Sequence, residues 1–174
     1  IKDILLERDI DIKQVKPSAI SYFISSAKND LIAPEQFSFH YGGFIEDIVA
    51  EIYPVYQKQL QAQNAVDFGD LLYLTVKMLE ENQDVRRRYQ EKFKYLLIDE
   101  YQDTNMVQYK FAKILAEKHH NICVVGDDDQ GIYAWRGANI KNIQSFEKDF
   151  ENVTVVKLEQ NYRSTKNVIK AAVN

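Results

Sequence analysis

The sequence predicts an α/β chain in which a parallel sheet with crossover helices follows an all-helical region. Two patterns in the sequence predict it. From Phe93 onward, short apolar runs rich in strand formers alternate with helical patterns: "FKYLLID", "MVQYKFAKILAEKHH", "ICVVGD", "IKNIQSFEKDF" and "VTVVKLE". Strand, helix, strand, helix, strand within about 65 residues is the pattern of parallel strands joined by crossovers. Up to about Gln63, by contrast, no strand pattern is visible. The composition, 45% apolar beside 28% charged over 174 residues, suits a soluble globular core and excludes global disorder.

The elements follow in order. "SAISYFISSAKN" (18–29) carries apolar positions at helical spacing behind Ser18, which is expected to cap it. "HYGG" (40–43) breaks the chain. A longer helix then shows Ile45, Ile48, Val49, Ile52, Tyr53 and Tyr56 on one face, with Pro54 expected to kink it. At "AVDFGDLLYLTVKMLEEN" the pattern restarts: Asp67 can cap the next helix and Asp70 stands where a capping box wants its acid, the alternative being that the pair contacts a ligand. "RRRYQEKFK" (86–94) is the most basic run, read as the solvated face of a helix rather than a phosphate-binding patch. His119 and His120 fall in a helix-to-strand turn and suit capping better than catalysis. No apolar run approaches the roughly 20 residues that span a bilayer, and the start does not resemble a signal peptide. The lone Cys123, in a run expected to be buried, forms no internal bridge and fits a reducing, cytoplasmic setting.

In parallel sheets ligands bind at the carboxyl ends of the strands. The first run ends in Asp99 and Glu100, the second in Gly126, Asp127, Asp128, Asp129 and Gln130, and the third leads into Asn161, Tyr162 and Arg163. An Asp-Glu pair after a strand has a use in nucleotide hydrolysis: the first carboxylate holds Mg²⁺ and the second positions and deprotonates water. The duller reading is two solvated acids, with Thr104 or Asn105 capping the next helix. Just beyond the carboxylates stand Tyr133, Trp135 and Arg136, aromatics interleaved with a cation, which suit nucleic acid better than phosphate-repelling acids do. A packing role for the aromatics is the competing reading. The net charge of -4 argues against nucleic-acid binding through bulk electrostatics and leaves room for a local site.

"LLIDEYQDTN", "VVGDDDQGIYAWRGA" and "LEQNYRST" resemble, in order and interval, motifs II, III and IV of superfamily 1A DNA helicases of the UvrD/PcrA/Rep group. "AVDFGDLL" is similar to the acidic segment before motif II, and "NDLIAPEQF" with "FIEDIVAEIYPVYQKQL" to the helical 1B subdomain. The resemblance implies a helical 1B-like subdomain over 1–65 and, over 66–174, the C-terminal part of a P-loop NTPase (RecA-like) motor domain 1A. It implies a cytoplasmic, nucleoid-associated bacterial enzyme using ATP and Mg²⁺ to move 3′ to 5′ along single-stranded DNA and open single-strand/duplex junctions in repair or replication. By position, Asp99 would coordinate Mg²⁺, Glu100 would be the catalytic base, and Gln130 would contact the γ-phosphate and report its state to the DNA site. Tyr162 would stack on adenine, Arg163 would stabilise charge on the γ-phosphate, and Tyr133, Trp135 and Arg136 would line the single-strand path.

A phosphate cradle needs G-x-x-x-x-G-K-[ST]. The only glycine pair at that spacing, Gly126 and Gly131, is followed by Ile132 and encloses three aspartates. The family places its cradle upstream of the 1B helices and a second motor domain downstream. This chain, opening at Ile1 without methionine and stopping at Asn174 in a helical pattern, therefore reads as an inactive piece of a longer protein. Gly69 replaces an acid often found in the family's "DFDDL" form, and Gly131 a frequent serine. Competing readings are a metal-dependent nuclease or phosphatase on Asp99 and Asp127–Asp129, a helicase-nuclease of RecB/AddA type, and a non-enzymatic scaffold. A sheet without further strands is expected to expose an apolar edge and favour association.

Overall fold

The computed structural model describes residues 1–134 and 137–173. Helices fill its first part: α1 (Lys2–Glu7), α2 (Pro17–Asn29), α3 (Phe37–His40) and α4 (Phe44–Ala62). α2 starts two residues earlier than a Ser18 cap predicts, with Lys16 in the cap position. Pro17 occupies the first helical turn behind an extended Lys16, because its fixed φ is preset for a helix and its missing N–H would have been unpaired there. Gly43 precedes α4 with φ 141°, and a Cβ there would stand 2.6 Å from Glu46 Oε2, so the break needs glycine. Pro54 lies inside α4, which continues to Ala62. Ile4, Leu5, Ile20, Ile24, Phe37 and Ile52 lie in one buried cluster between these helices.

A second cluster organises the rest. α5 (Phe68–Glu81) contributes Val76 and Leu79, α7 (Met106–Ala116) contributes Val107, Ile114 and Leu115, and α6 (Gln83–Lys92) packs the partly buried Val85 against them. Each such side chain, removed from water, is worth about 1.5–3 kcal/mol. Strands β1 (Leu96–Ile98) and β2 (Ile122–Val124) pair in parallel, Leu97 opposite Cys123, with α7 as the crossover. The α/β reading holds.

Three details of it do not. The run "VTVVKLE" forms no strand and pairs with neither β1 nor β2; residues 153–156 line, with Ile122, Cys123 and Val124, a cavity of about 480 Å³. "IKNIQSFEKDF" is not one helix but two short ones, α8 (Lys141–Gln144) and α9 (Phe146–Asp149), meeting at Ser145. The strands are also not buried on both faces. Leu96, Ile98, Ile122 and Val124 are half-buried, whereas Leu97 is 80% exposed and Cys123 is exposed too, because among the described residues helices cover only one face. α10 (Lys166–Val173) closes the described chain. No helix among the described residues is long and apolar enough to cross a membrane.

Candidate nucleotide and nucleic-acid site

The backbone ladder runs on past both strands and sets the site. Val125 N–H donates to Ile98 O (2.8 Å) and Tyr101 N–H to Val125 O (2.9 Å), so the segments leaving β1 and β2 stay side by side. Asp99 and Glu100 leave β1 exposed to solvent. Glu100 N–H donates to Asp99 Oδ1 at 2.9 Å. Glu100 itself is left-handed (φ 50°, ψ 45°), an uncommon conformation for a residue with a side chain. Local strain of this kind at a strand end motivates a functional reading.

Three further residues tie the carboxylate of Glu100 to the second strand end. Gln102, 1% exposed, donates from Nε2 to Glu100 Oε2 (2.8 Å), and its Oε1 accepts from Asp127 N–H (3.1 Å). Asp127 in turn accepts from Asp129 N–H (3.0 Å) and from Gln130 Nε2 (2.6 Å). Glu100, Gln102, Asp127 and Gln130 thus form one hydrogen-bonded chain across the ends of both strands. Gly126 makes the approach possible, since a Cβ there would meet Gln102 Oε1 at 2.6 Å. The loop after Gln130 is held again at its far end: Asn139 N–H donates to Thr104 O (2.9 Å), and Asn142 Nδ2 to Thr104 O and Asn105 O. Sequence reasoning missed Gln102. Its only signal was its place between two acids and a helix cap.

The other predicted residues fare differently. Tyr133 lies on this loop, 38% exposed. Trp135 and Arg136 lie outside the described residues. Tyr162 is 86% exposed and Arg163 exposed, in a bend closed by Asn161 Oδ1, which accepts from the N–H groups of Arg163 and Ser164. Among the described residues no side-chain hydrogen bond or ion pair joins Tyr162 or Arg163 to the Asp99–Gln130 group.

Among the described residues no three acidic, imidazole or thiol groups converge to hold a metal. Asp127 has both carboxylate oxygens engaged, by the Asp129 N–H and by Gln130 Nε2. Mg²⁺ makes a smaller demand, often one or two carboxylates with the remainder from water and phosphate oxygens. Asp99 fits that demand, exposed and with only Oδ1 engaged.

Asp67 and Asp70 turn out to be structural. They form the capping box of α5, Asp70 N–H to Asp67 Oδ1 at 2.8 Å and Asp67 N–H to Asp70 Oδ2 at 3.2 Å. Both also pair with the fully buried Lys28 of α2, at 2.6 and 2.8 Å. Tyr56 and Gln57 of α4 donate to them as well. A Cβ at Gly69 would lie 2.9 Å from Lys28 Cδ, so glycine at this position makes room for the lysine. His120 N–H donates to Ala116 O (2.8 Å) as the turn reading expected. The basic run lies largely on α6, with Arg87 and Arg88 exposed.

The model of the UvrD/REP helicase N-terminal domain matches residues 1–151. The chain is 52% identical over 172 residues to the ATP-dependent DNA helicase PcrA of Bacillus subtilis (strain 168), covering 99% of this chain and 23% of that protein. It is 45% identical to the PcrA of Leuconostoc citreum, over 99% of this chain and 23% of the relative. A probable DNA helicase II homolog of Rickettsia conorii is 47% identical, over 100% of this chain and 27% of the relative. The chain spans about a quarter of the length of the curated relatives it matches.

Proposed function

The chain belongs to the UvrD/REP helicase family, and from that premise we propose that it is part of the motor of an ATP-dependent DNA helicase. In this reading residues 1–65 are a helical 1B-like subdomain and 66–174 the C-terminal part of a RecA-like P-loop NTPase domain. The observation that carries it is the hydrogen-bonded chain from Glu100 through Gln102 and Asp127 to Gln130. It joins a strand-end carboxylate suited to water activation to a loop bearing Tyr133, and a motor needs such a link between fuel and track.

Asp99 is the residue that would hold Mg²⁺, which when bound supplies charge neutralisation for the phosphates. Glu100 keeps Oε1 turned to no partner among the described residues while Oε2 is held by Gln102, so it orients a water and takes its proton at Oε1. Gln130 meets the γ-phosphate. Arg163 stabilises the charge developing there and Tyr162 stacks on adenine, both from an exposed segment that closes over the nucleotide. Tyr133, with Trp135 and Arg136, stacks bases of single-stranded DNA at about 1–3 kcal/mol per base without demanding a sequence. Translocation is 3′ to 5′, with unwinding at single-strand/duplex junctions, in a bacterial cytoplasm close to the nucleoid.

The 174-residue chain alone turns over no ATP, for want of a phosphate cradle. Robust Mg²⁺-dependent turnover by this chain, abolished by Glu100→Gln, would overturn that point. The DNA half is tested by titrating the chain with oligothymidine and following its single tryptophan at low and high salt. Saturable quenching lost in Tyr133→Ala is expected. Quenching that survives this substitution would remove Tyr133 from the platform.

A further inference from the structure

We propose that Gln102 is a positioning residue that couples the Glu100 carboxylate to residues 127–130, so that displacement of that segment is felt as a change in the orientation of Glu100. The inference rests on the motor reading above and adds to it the part that transmits. Gln102 is the one side chain touching both strand-end segments in this chain of contacts, and it is almost wholly buried. Its carboxamide has only one orientation that satisfies both neighbours: Nε2 toward the carboxylate of Glu100 and Oε1 toward the N–H of Asp127. Flipping the amide would set oxygen against oxygen and N–H against N–H. The orientation is therefore fixed by partners on two different segments.

The surroundings leave this amide little room. Gly126 brings the backbone up to it, and an added Cβ would collide with Gln102 Oε1 at 2.6 Å and with Ile143 Cδ1 at 2.8 Å. The far end of the loop is bound to Thr104, two residues beyond Gln102. Asp127 joins the two groups: its N–H donates to Gln102 and its carboxylate accepts from Gln130. Displacing Asp127 shifts the amide, and the amide shifts Oε2 of Glu100. Coupling of this kind is reciprocal: whatever reorients Glu100 and Gln130 at the nucleotide must bias the loop equally.

The test uses the complete encoded protein, comparing ATP turnover with and without oligothymidine. Gln102→Met removes both hydrogen bonds at similar volume; Gln102→Glu keeps the acceptor for Asp127 N–H but sets a carboxylate against Glu100. Gln102→Met is expected to lower the DNA stimulation ratio by about tenfold, with the KM for ATP changed less than about twofold. Gln102→Glu is expected to cut kcat with or without DNA. Gly126→Ala, which disturbs Gln102 without replacing it, is expected to lower the same ratio. On the 174-residue chain, exchange of the Asp127 amide hydrogen should quicken by about tenfold in Gln102→Met. A wild-type protein with no ATP turnover would sink the motor reading and this inference with it. An active wild type whose stimulation ratio survives Gln102→Met, or an Asp127 amide that exchanges unchanged, would sink this inference alone.

Discussion

Lys28→Met is expected to destabilise the chain by about 3–5 kcal/mol, the range for breaking a buried ion pair by deleting one partner. The ammonium is fully buried and stands 2.6 Å from Asp67 Oδ2 and 2.8 Å from Asp70 Oδ1; the Asp70 side chain is also fully buried. Methionine keeps the stem and leaves one buried and one part-buried carboxylate without their counter-charge. For a domain of this size the loss corresponds to about 6–20 °C in Tm, and equilibrium urea unfolding at pH 7 measures it. Adding Asp67→Asn and Asp70→Asn to Lys28→Met should restore at least half of the loss, because the cost lies in the stranded charges. Burial alone would raise the Asp67 carboxyl. The Lys28 hydrogen bond, the Asp70 N–H, the Lys28 charge and the Tyr56 hydroxyl outweigh it and hold it below its ordinary value of 3.8. A carboxyl depressed in the folded state contributes stability above its unfolded pKa and loses it as pH falls through the folded one. The mutant and wild-type curves should therefore converge below about pH 4. A loss under about 1 kcal/mol at pH 7 would refute the reasoning, by showing these carboxylates to be solvated in solution.

Two further outcomes rest on single contacts. Asn105→Ala should cost about 1–2 kcal/mol in urea unfolding, since Asn105 caps α7 through Gln108 N–H and also donates to Asn29 Oδ1 at 3.0 Å; an unchanged midpoint would deny the cap its role. Burial pushes the Tyr101 hydroxyl up to about 12, with smaller contributions from Tyr109 and Asp149. A group whose folded pKa lies above its unfolded value gives up stability as pH rises from the unfolded to the folded value. Stability should fall between about pH 10 and 12, and Tyr101→Phe should flatten that fall in pH-dependent urea titrations; an identical slope in the variant would assign it to other groups.

What the sequence revealed and what it hid divide by distance along the chain. The capping box of Asp67 and Asp70 was legible because three residues suffice to define it, and β1, α7 and β2 because their periodicity is local. Lys28 was not legible: nothing in "SSAKN" says that the lysine turns inward to meet acids 39 and 42 positions away. Gln102 was hidden likewise, its partner Asp127 lying 25 residues on. The misjudged strand "VTVVKLE" has the residue types of a strand but no neighbour in register, and β propensity registers fit to a half-buried surface more than any intrinsic backbone preference. The exposure of Leu97 and Cys123 depends on what covers the second face of the sheet, which periodicity does not encode.

Glu100 and Lys28 make opposite predictions, and the contrast sets the proposed catalytic role of Glu100 against the structural role of Lys28. Lys28 is buried and ion-paired, so removing it must cost stability. Glu100 is exposed, sits in a left-handed conformation disfavoured by about 1–2 kcal/mol for most residues, and holds one hydrogen bond from Gln102 in return. Asparagine visits that conformation more readily. Glu100→Asn should therefore leave stability within about 1 kcal/mol of wild type, on either side of zero, while the complete protein loses ATP turnover by about 100-fold or more. Retained turnover would remove Glu100 as the base. A stability loss above about 2 kcal/mol would instead make Glu100 a structural residue, and the strained strand end would then need another explanation than catalysis.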